Sequence, residues 1–217
     1  MSGYPTPIGI TGRATAGKDS IGRVLVEEYG YTRVAFADAL KSMALALNPI
    51  VTEFNFPKRP HRLVSLVNVY GWDEAKTQPE VRRFLQVLGT EGVREHIGED
   101  AWVEALRKTM FDLQGDGKEL FVITDVRFPN EAEWVHAIGG QMWRVYRNVP
   151  LLDHASERYV DTLPCGLEID NNGPKEELRL HVAAALGGYL DERAYQKGLA
   201  AAEYNFEQAF KREEDRW

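Results

Sequence analysis

The sequence has few of the features that mark a secreted or membrane-spanning protein. Its 217 residues contain one cysteine, Cys165, so neither an internal disulfide nor a cysteine metal cluster is available, as is typical of a reducing cytosol. No run approaches the roughly 18 uncharged apolar residues of a transmembrane helix. Residues 1–7 include neither a basic nor an apolar segment, so we expect no secretory signal. These absences predict a cytoplasmic protein without a membrane partner.

Positive charge is also in short supply. The chain has 26 lysines and arginines against 33 aspartates and glutamates, a formal net charge of -7. Nucleic acids and anionic membranes attract basic surfaces, so an acidic chain is not expected to bind either of them. A small anion can still bind where N–H donors are aimed at it. The hydrophobic share of 44% is ordinary for a folded domain, which excludes a disordered chain.

The hydrophobic pattern alternates between strands and helices. An apolar helical face over Asp19–Tyr29 ends at Gly30, a typical helix stop. Short apolar runs predict strands at Pro7–Thr11, Arg33–Ala37, Leu120–Thr124, Gln141–Tyr146 and Leu167–Asp170. Strands separated by helices predict an α/β three-layer sandwich around a mainly parallel sheet with right-handed crossovers.

The chain divides into regions of different pattern. We predict one domain whose core comprises residues 1–50 and 115–190. A mostly helical insert, at about residues 51–114, is expected to cover one end of the sheet. A charged, helix-prone tail, at about residues 190–217, has no assigned chemistry and is compatible with a homodimer.

A glycine-rich loop lies between the first predicted strand and the first predicted helix. It matches the pattern G-x-x-x-x-G-K of phosphate-binding loops and consists of Gly12, Arg13, Ala14, Thr15, Ala16, Gly17 and Lys18. Glycines let backbone N–H groups turn towards a phosphate, the following helix adds its positive end, and the lysine reaches the β- and γ-phosphates. The alternative, an ordinary glycine turn, does not account for the flanking strand and helix.

The residue after the lysine departs from the usual pattern. Asp19 stands where a serine or threonine commonly helps to hold magnesium, and Ser20 follows it. Both side chains offer hard oxygen ligands. The sequence therefore predicts a magnesium ligand at Asp19 or at Ser20 without deciding between them.

Acidic residues follow two of the predicted strands. Asp125 comes directly after the most apolar strand, where the carboxyl ends of parallel strands line a ligand crevice, so it can hold magnesium through water. Arg127 can stabilise a transferring phosphoryl group. The structural alternative is that Asp125 caps the next helix and pairs with Arg127. Asp38 follows the second strand, where it can contact an acceptor and also cap a helix that begins at Ala39.

A polar stripe marks one helix of the insert. Arg82, Gln86, Thr90 and Arg94 recur every four residues, so neighbours share a face. The default interpretation is the solvent face of an amphipathic helix. Arginine forks also suit a phosphate. Trp102 can stack on a base or pack in the core.

Two groups of basic residues carry weaker signals. The cluster Lys58–Arg62 is by default a solvated charge run, although it also suits a mobile loop. Arg144 and Arg147 flank the fourth predicted strand, where their default interpretation is structural pairing.

Several segments together resemble the phage deoxynucleoside monophosphate kinases, from Ile8 to about Leu186. The segments are Gly17–Ser20, Phe36–Lys41, Leu85–Glu91, Asp125–Glu131, His154–Glu157 and Ile169–Gly173. The resemblance implies a P-loop kinase sheet with a helical monophosphate-binding region and a mobile lid. Arg144 or Arg147 is then a candidate for a lid contact to ATP. It also implies transfer of the γ-phosphoryl group of ATP to a deoxynucleoside 5′-monophosphate, in the host cytoplasm if the protein is encoded by a phage.

The resemblance assigns roles to the residues named above. The loop, with Asn172 near the adenine, is expected to bind ATP, and Mg2+ is expected at Asp19, Ser20 and Asp125. Lys18, Asp38 and Arg127 are the expected catalytic residues. The acceptor is expected to contact Asp38, Lys41, Arg82, Gln86, Thr90, Arg94, Trp102 and Arg127.

Two alternative functions compete with this hypothesis. One is another small-molecule P-loop kinase, of the dephospho-coenzyme A or phosphomevalonate type, which shares the loop and the acid after the second strand. The pattern Leu-Gln-x-Leu-Gly-Thr in the insert favours nucleotides instead. The other is a non-catalytic nucleotide-binding regulatory module, which the unusual Asp19 permits. Asp38, Asp125 and Arg127 argue against it, because a sensor does not need them.

Overall fold

The computed structural model describes residues 6–52, 60–149, 157–175 and 177–187. Five strands form one sheet: β1 (Ile8–Thr11), β2 (Thr32–Val34), β5 (Phe121–Ile123), β6 (Gln141–Tyr146) and β7 (Leu167–Asp170). They are parallel and lie in the order β2-β5-β1-β6-β7. A separate antiparallel pair consists of β3 (Ile50–Thr52) and β4 (Pro60–Arg62).

Helices cover both faces of this sheet. They are α1 (Lys18–Tyr29), α2 (Phe36–Leu47), α3 (Leu63–Ala75), α4 (Pro79–Gln86), a π-helix (Val87–Arg94), α5 (Ala101–Gly115), α6 (Pro129–Ala137) and α7 (177–187). None of the helices in the described ranges is long and apolar enough to cross a membrane.

The sheet is buried because its side chains alternate between two apolar layers. On one face Ile8, Ile10 and Trp143 pack with α1 and α7. On the other face Phe121 and Ile123 pack with α2, α5 and α6. The predicted three-layer α/β sandwich with a parallel sheet is confirmed.

The predicted second strand was too long. The strand was expected over Arg33–Ala37, but β2 ends at Val34 and α2 already begins at Phe36. Ala35 occupies the N-cap position in an extended conformation, so the prediction that Asp38 caps this helix was wrong. Asp38 lies in the first turn instead. The helix begins earlier than predicted because its first N–H groups bind a carboxylate that is distant in the sequence, that of Asp125.

A third apolar layer forms between α2 and the elements that follow it. Ala44 of α2, Val51 of β3, Leu66 of α3 and Val81 of α4 share one buried cluster. The region between β2 and β5 is therefore mostly helical with one short hairpin, and the predicted domain boundaries stay a prediction. Lys58, Arg59, His154 and the tail at 190–217 lie outside the described residues.

Helix α4 passes directly into the eight-residue π-helix, which the spacing of the apolar residues does not predict. Gly89 allows this segment to approach α2, since a Cβ there would lie 3.0 Å from Cδ2 of Leu40. On the other side the indole N–H of Trp102, on α5, donates to the carbonyl oxygen of Gly89 at 2.9 Å. Contacts to two neighbouring helices thus hold the π-helix.

A Trp102→Phe variant tests this contact. Phenylalanine keeps most of the buried aromatic surface but removes the hydrogen bond from the indole to the Gly89 carbonyl, and such a bond contributes about 0.5–1.5 kcal/mol. We expect the free energy of unfolding, measured by urea denaturation, to fall by about that amount. Trp134→Phe is the matched control, because Trp134 packs edge-on against Phe36 and its indole has no acceptor among the described residues. Equal losses in the two variants would contradict the assignment.

Candidate active site

The glycine-rich loop between β1 and α1 is held by close contacts to the ends of two other strands. Gly12 has a φ of 142°, and a Cβ there would lie 2.5 Å from the carbonyl oxygen of Val145 in β6. Gly17 has a φ of 106°, and a Cβ there would lie 2.1 Å from Nδ2 of Asn171. Asn171 is buried after β7 and donates to the carbonyl oxygen of Ala16 at 2.7 Å. Both glycines are therefore needed for conformation and for space.

The loop presents unpaired donors at the N-terminus of α1. Gly17 is the N-cap of this helix, and the N–H groups of Gly17, Lys18 and Asp19 have no acceptor within the described part of the chain. The first N–H groups of a helix lack intrahelical partners, and the helix dipole adds positive potential there. Such an arrangement suits a phosphate or a similar anion.

Lys18 lies inside the loop rather than in solvent. Its side chain donates to the carbonyl oxygens of Gly12 at 2.7 Å and Arg13 at 2.8 Å, and the residue is 8% exposed. Burial, followed by the positive charge of Arg127, lowers the pKa of Lys18 to about 8. An incoming phosphate would supply the negative charge that this ammonium group lacks.

The remaining loop residues contact a segment that follows β6. Arg13 forms an ion pair with Asp161 at 2.7 Å, so its guanidinium is turned away from the loop's donors. The N–H of Ala14 donates to Oε2 of Glu157 at 3.0 Å. Thr15 adopts a positive φ of 62°, a conformation uncommon outside glycine that is often found at functional sites.

Asp125 is half-buried at the carboxyl end of β5. Its two carboxylate oxygens accept the N–H groups of Phe36 and Ala37, each at 2.9 Å. Asp125 therefore caps α2, and the alternative that it caps the next helix is wrong. Burial raises the pKa of Asp125, while the two N–H donors oppose this shift. Each oxygen keeps a second lone pair for a water or a cation.

Asp38 lies in the first turn of the same helix, beside two cations. Its carboxylate is 2.5 Å from Nη1 of Arg33, at the end of β2, and 3.8 Å from Nζ of Lys41. Arg33 was not among the predicted site residues. The one signal in the sequence that could have identified Arg33 is its place in the predicted second strand, five residues before Asp38.

Glu131 is another residue of the site that the sequence-based prediction missed. It is 2% exposed, and its Oε2 accepts the N–H groups of Arg127 at 2.8 Å and Phe128 at 3.1 Å. Its Oε1 pairs with Arg94 at the end of the π-helix. Burial, followed by the charge of Asp125, raises the pKa of Glu131 to about 7. A glutamate three residues into a helix is the sequence signal of a capping box.

The predicted polar stripe is only partly available to a ligand. Arg82 is exposed, and Gln86 and Thr90 are half-buried. Arg94 is tied to Glu131 and lies over the ring of Phe128, with Cζ 4.0 Å from the ring centroid.

The π-helix changes how the stripe is aligned. Steps of four residues overshoot a full turn in an α-helix. In a π-helix, whose i→i+5 bonds wind more residues into each turn, a step of four residues falls short of a full turn. In α4 successive stripe residues rotate slightly around the helix axis, and the π-helix rotates them back. The stripe residues therefore stay on one side.

Two predicted contacts are placed elsewhere by the structure. Trp102 is buried with its indole bonded to Gly89, which matches the core-packing alternative. Asn172 is exposed and binds Asp170 and the N–H of Asn148. Its neighbour Asn171 is the residue that contacts the loop. Of the two candidate lid arginines, Arg144 pairs with Glu168 of the neighbouring strand at 2.6 Å.

The remaining predicted site residues are Arg127, which follows β5, and Asp19 and Ser20, which belong to α1. The side chain of Arg127 is 35% exposed, and its Nη1 is 3.5 Å from Oε1 of Glu157. Asp19 and Ser20 are exposed on the first turn of α1. Within the described ranges, no three histidine, cysteine or acidic side chains form a metal cluster. Mg2+ at a phosphate site commonly uses only one or two carboxylates together with phosphate oxygens and waters, so Asp19, Ser20 and Asp125 fit this ion.

Comparison with known sequences gives two matches. A family model described as deoxynucleotide monophosphate kinase matches residues 66–182, just over half of the chain. A protein of Acanthamoeba polyphaga mimivirus, named "Putative deoxynucleotide monophosphate kinase", is 27% identical over 157 residues, which cover 64% of this chain and 73% of that protein. The glycine-rich loop precedes the residues matched by the family model, so the two observations are independent.

Solved structures with a similar chain path include two small-molecule kinases. A gluconokinase from Sinorhizobium meliloti 1021 is 15% identical and covers 89% of this chain and 98% of its own, with a TM-score of 0.48. A dephospho-CoA kinase from Campylobacter jejuni is 13% identical and covers 86% of this chain and 98% of its own, with a TM-score of 0.44.

The lowered pKa of Lys18 predicts how anion binding depends on pH. A bound phosphate favours the protonated lysine, so the affinity for ATP should be nearly constant below pH 8. It should then fall by up to about tenfold per pH unit as the unliganded lysine loses its proton. Isothermal titration calorimetry between pH 7 and pH 9.5 measures this. In the control Lys18→Arg the cation does not titrate, so its affinity should not show the decline. A flat wild-type profile would contradict the prediction.

Proposed function

The chain belongs to the deoxynucleotide monophosphate kinase family and has the fold of P-loop kinases, and from this premise we propose that it phosphorylates deoxynucleoside 5′-monophosphates. The γ-phosphoryl group of ATP passes to the acceptor phosphate, giving ADP and a deoxynucleoside diphosphate. One observation carries the proposal. A loop of unpaired N–H donors around Lys18 faces Arg127 across the carboxyl edge of the sheet.

The donor half of the proposed site is the loop. The N–H groups of Gly17, Lys18 and Asp19 bind the β-phosphate region, and the ammonium group of Lys18 exchanges its carbonyl partners for phosphate oxygens. Asp19, Ser20 and Asp125 hold Mg2+, which neutralises charge on the phosphates when it is bound. Asn171 fixes the loop in the shape that these contacts need.

The acceptor half lies between the beginning of α2 and the polar stripe of α4. Asp38, with Arg33 and Lys41 beside it, is half-exposed at the same edge as Asp125. Arg82 is exposed with no ion pair to any described residue, so it is available for an acceptor phosphate. Arg94 acts indirectly, since its pair with Glu131 holds the backbone that carries Arg127.

The chemistry asks the protein mainly to position and neutralise the reacting groups. Phosphoryl transfer passes through a loose, in-line transition state with charge on the equatorial oxygens. Lys18 and Arg127 approach such a group from two sides, and Lys18 is buried from water. Exclusion of water matters because hydrolysis of ATP is the competing reaction.

A direct assay tests the proposed reaction. Purified protein incubated with ATP, Mg2+ and each of the four deoxynucleoside monophosphates should release ADP and the matching diphosphate. Lys18→Ala should lower kcat by at least roughly 100-fold, because it removes a charge aimed at the transferring group. If the protein phosphorylates none of the four but does phosphorylate dephospho-coenzyme A or phosphomevalonate, it is a kinase with a different acceptor. Binding of ATP without any turnover would favour a regulatory module.

The acceptor contact of Arg82 can be separated from general charge effects. Arg82→Ala should raise the KM for the monophosphate by roughly 10-fold or more, the usual loss for a charge-assisted hydrogen bond. The dissociation constant of ATP should not change. Arg83→Ala is the matched control, since Arg83 is the exposed neighbour on the same helix and lies off the stripe. An equal rise in KM for both variants would show that no specific contact is made.

A further inference from the structure

A buried carboxylate, that of Glu157, lies on the glycine-rich loop. Glu157 is 4% exposed. Its Oε2 accepts the N–H of Ala14 at 3.0 Å, and its Oε1 is 3.5 Å from Nη1 of Arg127. Lys18 also experiences the negative charge of Glu157. One carboxylate thus faces a loop donor and both cations that are aimed at a terminal phosphate.

The contacts of Glu157 leave the rest of the loop available. The N–H groups of Gly17, Lys18 and Asp19 have no acceptor among the described residues, so two phosphate groups can bind there while Glu157 stays in place. In the proposed function, a third phosphate approaches Arg127 and Ala14, which are the two groups that the carboxylate of Glu157 contacts. Two anions cannot share these donors, because like charges repel strongly where water is excluded.

We propose that Glu157 stands in for the terminal phosphate of the donor nucleotide and is displaced by it. In the empty or ADP-bound protein, the carboxylate holds the N–H of Ala14 and pairs with Arg127. In the ATP-bound protein, the γ-phosphate takes both donors and Glu157 leaves the loop. The inference deepens the proposed function, since it rests on ATP as the ligand, and it makes Glu157 a residue that discriminates triphosphates from diphosphates.

The same displacement restricts when Arg127 is available. While Glu157 is in place its carboxylate faces Arg127, so the guanidinium is shared with an acid of the protein itself. Displacement transfers the guanidinium to the phosphoryl group that is to be moved. After transfer, ADP has no group at this position, and Glu157 returns to the loop.

A matched control lies four residues away. Asp161 also binds the loop, but through the side chain of Arg13 rather than through a backbone N–H. Its side chain is 47% exposed, and no contact to Arg127 is described for it. Replacing either acid by its amide removes one charge from the same segment. Only the change at Glu157 removes a charge from the position of the terminal phosphate.

The experiment compares the affinities for Mg2+-AMPPNP, a non-hydrolysable triphosphate, and for Mg2+-ADP by calorimetry on the full chain. Glu157→Gln keeps an oxygen for the N–H of Ala14 and should bind AMPPNP about tenfold more tightly than the wild type, a change of about 1.4 kcal/mol. Its affinity for ADP should change by less than about threefold. Asp161→Asn should leave the ratio of the two affinities unchanged. Unchanged or weaker AMPPNP binding by Glu157→Gln, or an equal gain in Asp161→Asn, overturns the inference.

A measurement on the wild type guards against a variant that does not fold. Hydrogen–deuterium exchange of residues 157–163 should increase with saturating AMPPNP, because the carboxylate leaves the loop, and should not increase with ADP. Equal exchange with both nucleotides overturns the inference. Neither experiment contains an acceptor, so a protein that shows these effects but phosphorylates no monophosphate loses only the proposed function. A kinase in which Glu157→Gln leaves the donor ratio unchanged loses only this inference.

Discussion

The carboxylate of Asp125 is the contact on which the geometry of the site depends. It is half-buried at the end of a strand inside the sheet, and a carboxylate that is withdrawn from water without partners is costly. The first two N–H groups of α2 satisfy it. Because these donors belong to a helix terminus, the contact also fixes where α2 begins. The position of Asp38 and Lys41 at the edge of the sheet follows from that beginning.

Two further buried polar contacts extend this arrangement. The pair of Arg94 and Glu131 joins the π-helix to the turn that carries Arg127. Asn171 joins the glycine-rich loop to the end of β7. Each contact links segments that are far apart in the sequence, and removing one partner leaves a buried polar group unsatisfied. The site is therefore rigid where phosphates are expected, while Glu157 supplies an internal anion that an incoming nucleotide can replace.

The parts of the site that the sequence predicted well are those with a local cause. The glycine-rich loop needs a strand before it and a helix after it, and β1 and α1 are present in those positions. The parallel sheet followed from short apolar runs separated by helices. Glu131 and Asn171 lay inside segments that were already singled out, but Arg94, which pairs with Glu131, and Ala16, which binds Asn171, are distant in the sequence. Nothing in the local pattern shows that these two side chains are the buried ones.

The sequence by itself determined the α/β class, the glycine-rich loop between a strand and a helix, and the acids at the ends of the strands, because each depends on neighbouring residues and on hydrophobic periodicity. Only the tertiary structure decided where α2 begins, since its cap is supplied from 89 residues away. It also decided that Arg94 and Trp102 are engaged in buried contacts, and that Glu157 lies on the loop. The scarcity of positive charge has one consequence in the sequence and another in the folded structure. A net charge of -7 disfavours long polyanions, whereas a few buried cations and N–H donors, brought together by folding, are enough to bind a small anion.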